Sequence, residues 1–339
     1  MREYENISLK PYNTFGIDVK ARRLVVVEPE DSVEDCISKQ VLSTTHYPLP
    51  TLFLGGGSNM VFTKDFDGTV ITLSHSNNQA IKQSNNLVTA WAGMVMDDLV
   101  QWTLDHGLYG LENLSAIPGT VGASAVQNVG AYGAEAKDFI HSVEAYDIKE
   151  RRMVTLSNEE CSFAYRDSLF KHCPGRYLIL RVTYRLSKTF VPNLSYKALE
   201  GLPHDTAQQL RDAITALRWS KLPRPEEHGS AGSFFKNPVV DEETYRRLRE
   251  QYPDMPEAHP LNTEHLTLNT YKLSAGWLID RIGWKGRVQG GVGVWPKNAL
   301  VLYNAGGCTG DEIKALAAAI QQDVKQKFGV ALDPEAIII

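Results

Sequence analysis

The chain has 339 residues, 43% hydrophobic and 22% charged, with a formal net charge of −5. A chain of this length exceeds what one hydrophobic core usually supports, and the composition excludes a disordered or low-complexity protein. The acidic balance argues against a nucleic-acid-binding surface, which would carry a basic stripe.

Cys36, Cys161, Cys173 and Cys308 lie far apart and form no CxxC, so neither a zinc site nor a disulfide framework is expected, and no metal. The opening MREYENISLK has no apolar h-region, and no run of about 18 apolar residues occurs. A cytoplasmic protein without membrane or nucleic-acid partners is the expectation.

In the first segment, the β-branched run Ala21–Val27 predicts a strand, and Asp31–Leu42, with Val33, Ile37 and Val41 apolar, predicts a helix. Thr51–Leu54 is a short apolar strand that runs into Gly55, Gly56, Gly57, Ser58 and Asn59. Glycines at the carboxyl end of a strand let the backbone approach a ligand, and peptide N–H groups in tight turns bind anions. The spacing is not GxGxxG, and MVFTKDFDGTVITLS after Asn59 reads as further strand, which disfavours a Rossmann site.

The second segment is mostly strand. Leu87–Ala92 predicts a strand, and Met96–His106, with Leu99, Val100, Trp102 and Leu104, a helix that stops at Gly107. Leu114–Gly133, LSAIPGTVGASAVQNVGAYG, then combines glycines 119, 122, 130 and 133 with many alanines and serines, and contains no Lys, Arg, Asp or Glu. It reads either as a second anion cradle or as tightly packed turns of the core. Two cradles suit a dinucleotide better than a mononucleotide. Val143–Asp147 and Arg152–Leu156 form a predicted hairpin, and Tyr177–Leu186 a strand. Between them, Phe163–Ser168 falls at a loop or strand end, and on spacing alone its Arg166–Asp167 is a solvated pair.

Thr206–Trp219 carries Leu210, Ile214 and Leu217 on one helical stripe, and Lys221-Leu222-Pro223-Arg224-Pro225 is a rigid break suited to a domain boundary. In Gly229–Pro238, Ser233 stands before Phe234, Phe235, Lys236 and Asn237. The setting is not a G-x-S-x-G elbow and no His marks a base, so a proton donor is favoured over a nucleophile; a glycine-rich turn into Pro238 is the plain alternative. Asp241–Gln251, Lys272–Ile282 and Thr309–Phe328 predict helices, and Ala299–Tyr303 a strand. Glu335, held by Pro334 between apolar segments, is either paired with a positive group or functional.

Taken in order, GGGSN, IPGTVGA with QNVGAYG, YRDS, KLPRP, GSFFKNP, AGWLID and the terminal DPE closely resemble the UDP-N-acetylenolpyruvoylglucosamine reductases, the MurB family of bacterial peptidoglycan synthesis, over essentially the whole chain. The two cradles alone match only the wider flavoproteins with an FAD domain of the vanillyl-alcohol-oxidase (PCMH) type. Asn193–Leu199, NLSYKAL, resembles the tyrosine-bearing loop of one of the two reductase types.

The resemblance implies an α+β fold: a two-lobed FAD-binding region, residues 1–69 and 70–221, followed by a substrate-binding α+β domain, residues 222–339, whose end packs back on the first lobe. It implies non-covalent FAD held by Gly55, Gly56, Gly57, Ser58, Asn59, Pro118, Gly119, Gly130, Tyr132 and Arg218. Arg166, Ser233 and Glu335 are the catalytic residues it implies, with Tyr165, Tyr196, Lys221 and Asn237 on the substrate. NADPH is the implied reductant, the enolpyruvyl ether of UDP-N-acetylglucosamine the substrate, and a monomer the implied state. An FAD-dependent alcohol or hydroxy-acid oxidase of the same fold family and a non-catalytic nucleotide-sugar-binding protein are the alternatives.

Overall fold

The computed structural model describes residues 1–40, 50–75, 81–258, 260–261 and 270–339. Val41 and Leu42, the predicted end of the first helix, lie outside them. Two compact units are formed: Met1–Ser8, Lys20–Gly57 and Asp65–Arg218 make the first, and Leu9–Val19, Ser58–Lys64 and Trp219–Ile339 the second.

The first unit begins with β1 (Arg2–Ser8), β2 (Lys20–Val27), α1 (Val33–Gln40) and β3 (Thr51–Leu54). After the short β4 (Met60–Val61) of the second unit come β5 (Phe66–Leu73), β6 (Ile81–Ser84), β7 (Leu87–Trp91), α2 (Met96–Asp105), α3 (Val121–Val126), β8 (Gly130–Ala131) and β9 (Ala134–Glu135). The unit is completed by β10 (Ile140–Asp147), β11 (Arg152–Ser157), α4 (Leu169–His172), β12 (Tyr177–Arg185) and most of α5 (Ala207–Lys221). One sheet runs β1-β2-β5-β3, with β2–β5 and β3–β5 parallel; the other, β11-β10-β12-β7-β6, is antiparallel throughout. Leu24–Val27 are all buried, as a parallel strand covered on both faces requires.

One core joins both sheets, running from Val25 and Ile71 through Trp91, Leu99, Val121 and Val143 to Leu180 and Tyr184. Helix α3 packs into it with Gly, Ala and Ser between its two valines. A Cβ on Gly122 would come within 2.8 Å of the Ala92 Cβ, so VGASAV is the composition that close packing permits there. Behind α3 the Tyr184 hydroxyl meets Ser124 Oγ at 3.1 Å, and burial pushes that phenol well up.

The second unit contains β13 (Ser230–Ser233), β14 (Val239–Asp241), α6 (Glu242–Gln251), β15 (Pro260–Leu261), β16 (Thr270–Lys272), α7 (Ala275–Arg281), β17 (Val288–Gln289), β18 (Val292–Val294), β19 (Val301–Asn304), α8 (Gly310–Phe328) and β20 (Ile337–Ile338). Its main sheet is β13-β19-β18-β17, beside the smaller β14-β16-β15. Helix α8 shows why its ends fall where they do. Thr309 and Glu312 form a reciprocal capping box, Gly329 closes the helix at φ +73°, and Ile313, Leu316, Ile320, Val324 and Phe328 are buried. The last residues pair β20 in parallel with β4, and Thr63 donates its N–H to Ile339 O at 2.7 Å. Segment 58–64, assigned with the first lobe by chain order, therefore belongs to the second unit together with the C-terminus.

Candidate active site

The glycines after β3 and the loop before α3 meet within the first unit. A Cβ on Gly55 would lie 3.0 Å from Thr120 Oγ1 and 3.1 Å from Ala123 Cβ; one on Gly56 would lie 3.1 Å from Gly119 Cα. Two backbones thus approach more closely than side chains allow, and Thr120 caps α3 by accepting the Ala123 N–H. Peptide groups, small residues and no carboxylate are the donor set a diphosphate needs, so this cradle fits FAD. Pro118 is exposed beside it.

The next loop is fixed through Ala116, which has φ +55°. Its N–H goes to Asp97 Oδ1 at 2.6 Å, and its carbonyl accepts Arg218 Nε at 3.2 Å. Asp97 is also gripped by both ends of the Arg211 guanidinium, at 2.6 and 3.0 Å. Burial pushes the Asp97 pKa up, but the bonds from Arg211 and Ala116 outweigh it and hold the carboxyl below its ordinary value. Arg218 lies 6.0 Å from the Tyr132 ring; burial lowers its pKa, opposed by Tyr132 and Asp97. Burial in turn raises the Tyr132 phenol, opposed by Arg218.

Tyr196 stacks edge-on against Tyr132 with centroids 5.4 Å apart, and is 46% exposed, which leaves a face for a ligand. Its loop is tied down by Asn193, whose Nδ2 donates to Gly133 O at 3.1 Å, and by Asn113 Nδ2, which bridges Tyr132 O (2.7 Å) and Asn193 O (2.9 Å). The tyrosine-bearing loop and QNVGAYG are one local structure.

Tyr165 and Arg166 form the tip of a turn closed by Ala164 and Asp167, which exchange both backbone hydrogen bonds at 3.1 Å. The Arg166 guanidinium folds back 5.3 Å from the Tyr165 ring and donates to Gly130 O at 2.5 Å and Asn128 O at 3.4 Å. Gly130 is thereby the seat of an arginine as well as part of the glycine-rich loop: a Cβ there would stand 3.0 Å from Arg166 Nη1. On spacing alone Arg166 pairs with its neighbour Asp167; in the structure that carboxylate instead holds His172 Nε2 at 2.7 Å.

The second unit brings the segments that carry Ser233 and Glu335 together. Glu335 N–H donates to Phe234 O at 2.8 Å, Lys236 N–H to Asp333 O at 2.9 Å, and Phe235 forms a bridge with Pro334. Ser233, half-buried, ends a strand rather than sitting in a glycine-rich turn, with Val301 as its register partner. Asn59 joins this group: its Nδ2 donates to Glu335 O at 3.1 Å and its own carbonyl takes the Ile337 N–H at 2.9 Å. Ser58 and Asn59 thus sit in the second unit, whereas Gly55–Gly57 sit in the first. Glu335 is half-buried. Asn237 Oδ1 accepts the Ala275 N–H at 3.0 Å, the start of α7, and Lys221 is exposed at the end of α5.

Asp97, Asn113 and Asn128 were not singled out by sequence reading. Each hydrogen-bonds to loop backbone, a role that leaves no motif; Asn113 and Asn128 are buried and Asp97 is half-buried. Among the described residues no group of three or more His, Cys, Asp or Glu could hold a metal ion.

Comparison with known proteins bears on the same residues. The family model for an FAD binding domain matches residues 24–157, and that for the C-terminal domain of UDP-N-acetylenolpyruvoylglucosamine reductase matches residues 224–339. The UDP-N-acetylenolpyruvoylglucosamine reductase of Pseudomonas aeruginosa is 45% identical, across 98% of this chain and 97% of its own. That of Dechloromonas aromatica is 40% identical and covers 100% of both chains. The crystal structure of UDP-N-acetylenolpyruvylglucosamine reductase (MurB) from Thermus caldophilus superposes with a TM-score of 0.68 at 24% identity, covering 100% of this chain and 99% of that one, which supports the fold.

Proposed function

The chain belongs to the UDP-N-acetylenolpyruvoylglucosamine reductase family, FAD-dependent oxidoreductases, and from that premise we propose that it converts the enolpyruvyl ether of UDP-N-acetylglucosamine to UDP-N-acetylmuramate with NADPH, a step of peptidoglycan precursor synthesis. The observation that carries the proposal is the seating of Arg166 on the carbonyl of Gly130, which makes the arginine turn and the glycine-rich loop one piece.

When bound, FAD would supply two-electron redox chemistry between NADPH and C3 of the enolpyruvyl group. The protein's own contribution is to hold and neutralise. Gly55–Gly57 and Gly119 offer backbone to the diphosphate, with Ser58, Asn59, Pro118, Gly130, Tyr132 and Arg218 completing the FAD contacts. As negative charge spreads from C2 onto the substrate carboxylate, Arg166 receives it: a guanidinium stays charged and matches a carboxylate with two parallel hydrogen bonds. Ser233 Oγ then gives a proton to C2. Glu335 assists as a protonated acid or through another donor, because an ionised carboxylate would repel the charge being formed. Tyr165, Tyr196, Lys221 and Asn237 hold the nucleotide sugar, and NLSYKAL supports the tyrosine-loop type of the family.

Among the described residues no helix is long and apolar enough to cross a membrane, and we propose a cytoplasmic monomer. The test is the visible spectrum of the purified protein under nitrogen. NADPH bleaches the flavin and the enolpyruvyl nucleotide then restores its colour. A flavin bleached by NADPH that only oxygen reoxidises, or a colourless protein that takes up no FAD, rejects the proposal.

A further inference from the structure

A φ of +54° at Arg166 is unusual for a residue with a side chain; a turn needing that backbone normally takes Gly or Asn at this position. The YRDS turn therefore does not dictate its own shape, and the surrounding structure has to impose it. Asn128 does so. It is fully buried, has φ +43°, and commits every polar atom of its side chain: Nδ2 donates to Ala164 O (2.8 Å) and Glu135 Oε2 (2.9 Å), and Oδ1 accepts the Lys137 N–H (3.0 Å). Its backbone carbonyl meanwhile accepts Arg166 Nη1 at 3.4 Å. One residue thus grips the base of the turn with its side chain and the tip of the arginine with its main chain.

We infer that Asn128 is the positioning residue of Arg166, fixing both where the turn stands and the direction in which its guanidinium points; the inference rests on Arg166 being the group that meets the substrate carboxylate. Only a carboxamide meets the requirement. The site asks for two donors and one acceptor at a buried point, and Asp in place of Asn loses both donors and sets a second carboxylate against Glu135. Ser168 secures the other end of the turn, its Oγ donating to Val126 O at 2.5 Å, and Lys171 Nζ donates to Arg166 O at 2.8 Å. Those two bonds hold main chain, whereas Asn128 also receives the guanidinium on its carbonyl.

The test is a double-mutant cycle on the holoenzyme, with flavin reduction by NADPH and reoxidation by the enolpyruvyl nucleotide followed separately by rapid mixing. Arg166→Lys slows reoxidation by about 10²–10³-fold, the scale of losing an oriented charge stabiliser. Asn128→Asp slows it by about 10²-fold, as misplacement of a catalytic group by roughly 1 Å does. The double variant is no slower than Arg166→Lys alone, because no guanidinium remains to be positioned. Reduction by NADPH is nearly unchanged in Asn128→Asp. Without nucleotide present, amide exchange at Ala164 and Asp167 accelerates while β10 and β12 keep their protection. Should the Asp variant fail to fold, Asn128→Gly, which keeps the left-handed backbone and deletes the side chain, takes its place in the cycle. Slowing that multiplies in the double variant, or that affects both half-reactions equally, overturns the role of Asn128. Reoxidation of Arg166→Lys at the unsubstituted rate overturns instead the reading of Arg166 on which it rests.

Discussion

Gly56→Ala adds one carbon where two backbones already touch. The new Cβ would lie 3.1 Å from Gly119 Cα, 3.6 Å from its carbonyl carbon and 3.8 Å from its nitrogen. Non-bonded carbons settle roughly 3.5–4.0 Å apart, so the two loops must separate by roughly 0.4–0.9 Å. No rotamer can absorb that, because every atom concerned is main chain. Gly56 is also not among the positive-φ glycines, so alanine there meets no dihedral penalty and the substitution reports the spacing alone. A hydrogen bond to a charged group contributes about 1.5–3 kcal/mol, and losing one from the diphosphate weakens FAD binding by about 10–100-fold. The assay is fluorescence titration of FAD into deflavinated protein. Gly107→Ala is the control: no atom lies within 4 Å of its Cβ, but φ is +65°. It is expected to lose about 1–2 kcal/mol of stability while FAD affinity holds. If Gly56→Ala binds FAD as tightly as the unsubstituted chain, the cradle is not the diphosphate site.

Ser233→Ala removes the proposed proton donor: reduction of the flavin by NADPH stays near normal while reoxidation by the enolpyruvyl nucleotide slows by at least about 10²-fold, and equal slowing of the two half-reactions in rapid mixing rejects the assignment. For Asp97 the sign of the pH dependence follows from a folded pKa held below its ordinary value. Such a group stabilises the fold above its unfolded pKa and ceases to as pH falls through the folded one, so the stability advantage over Asp97→Asn is full near pH 7 and closes below about pH 4. Urea unfolding at the two ends of that range checks it; a constant difference shows that the Arg211 and Ala116 bonds do not hold the carboxylate.

Where burial is periodic, the chain declared its structure openly. In α8 the spacing of Ile313, Leu316, Ile320 and Val324 and the box of Thr309 with Glu312 mark a helix that folds as read. Strand β1 escaped notice because its first five residues are exposed and polar positions dominate, leaving no apolar alternation. Helix α3 was hidden by its own packing: small residues that fit against Ala92 carry little hydrophobic contrast. Contact between distant segments was beyond reach altogether. Nothing local in GGGSN shows that Asn59 joins the backbone of Glu335, 276 positions away. Most of the residues proposed for the candidate site were legible as members of the runs GGGSN, QNVGAYG, YRDS, GSFFKNP and DPE. The residues beneath them, Asp97, Asn113 and Asn128, were not, because a side chain that supports a loop backbone needs only the right hydrogen-bonding atoms.

That division has a physical root in the backbone itself. Ala116, Asn128, Tyr132 and Arg166 all have φ between +43° and +55°, a conformation that costs a residue with a side chain about 1–2 kcal/mol. Each is held from outside: Ala116 by Asp97 and Arg218, Tyr132 by Asn113 on its carbonyl, Arg166 by Lys171 on its carbonyl, and Asn128 by the bonds of its own side chain. A net contribution of about 0.5–1.5 kcal/mol per hydrogen bond, larger where a charge takes part, is of the size needed to offset each left-handed residue. Glycine at these positions would relieve the strain and remove the side chains that hold the loop or are proposed to meet the ligand. The site thus keeps Tyr132 and Arg166 at turn positions suited to glycine, and the polar residues packed around them are the condition for doing so.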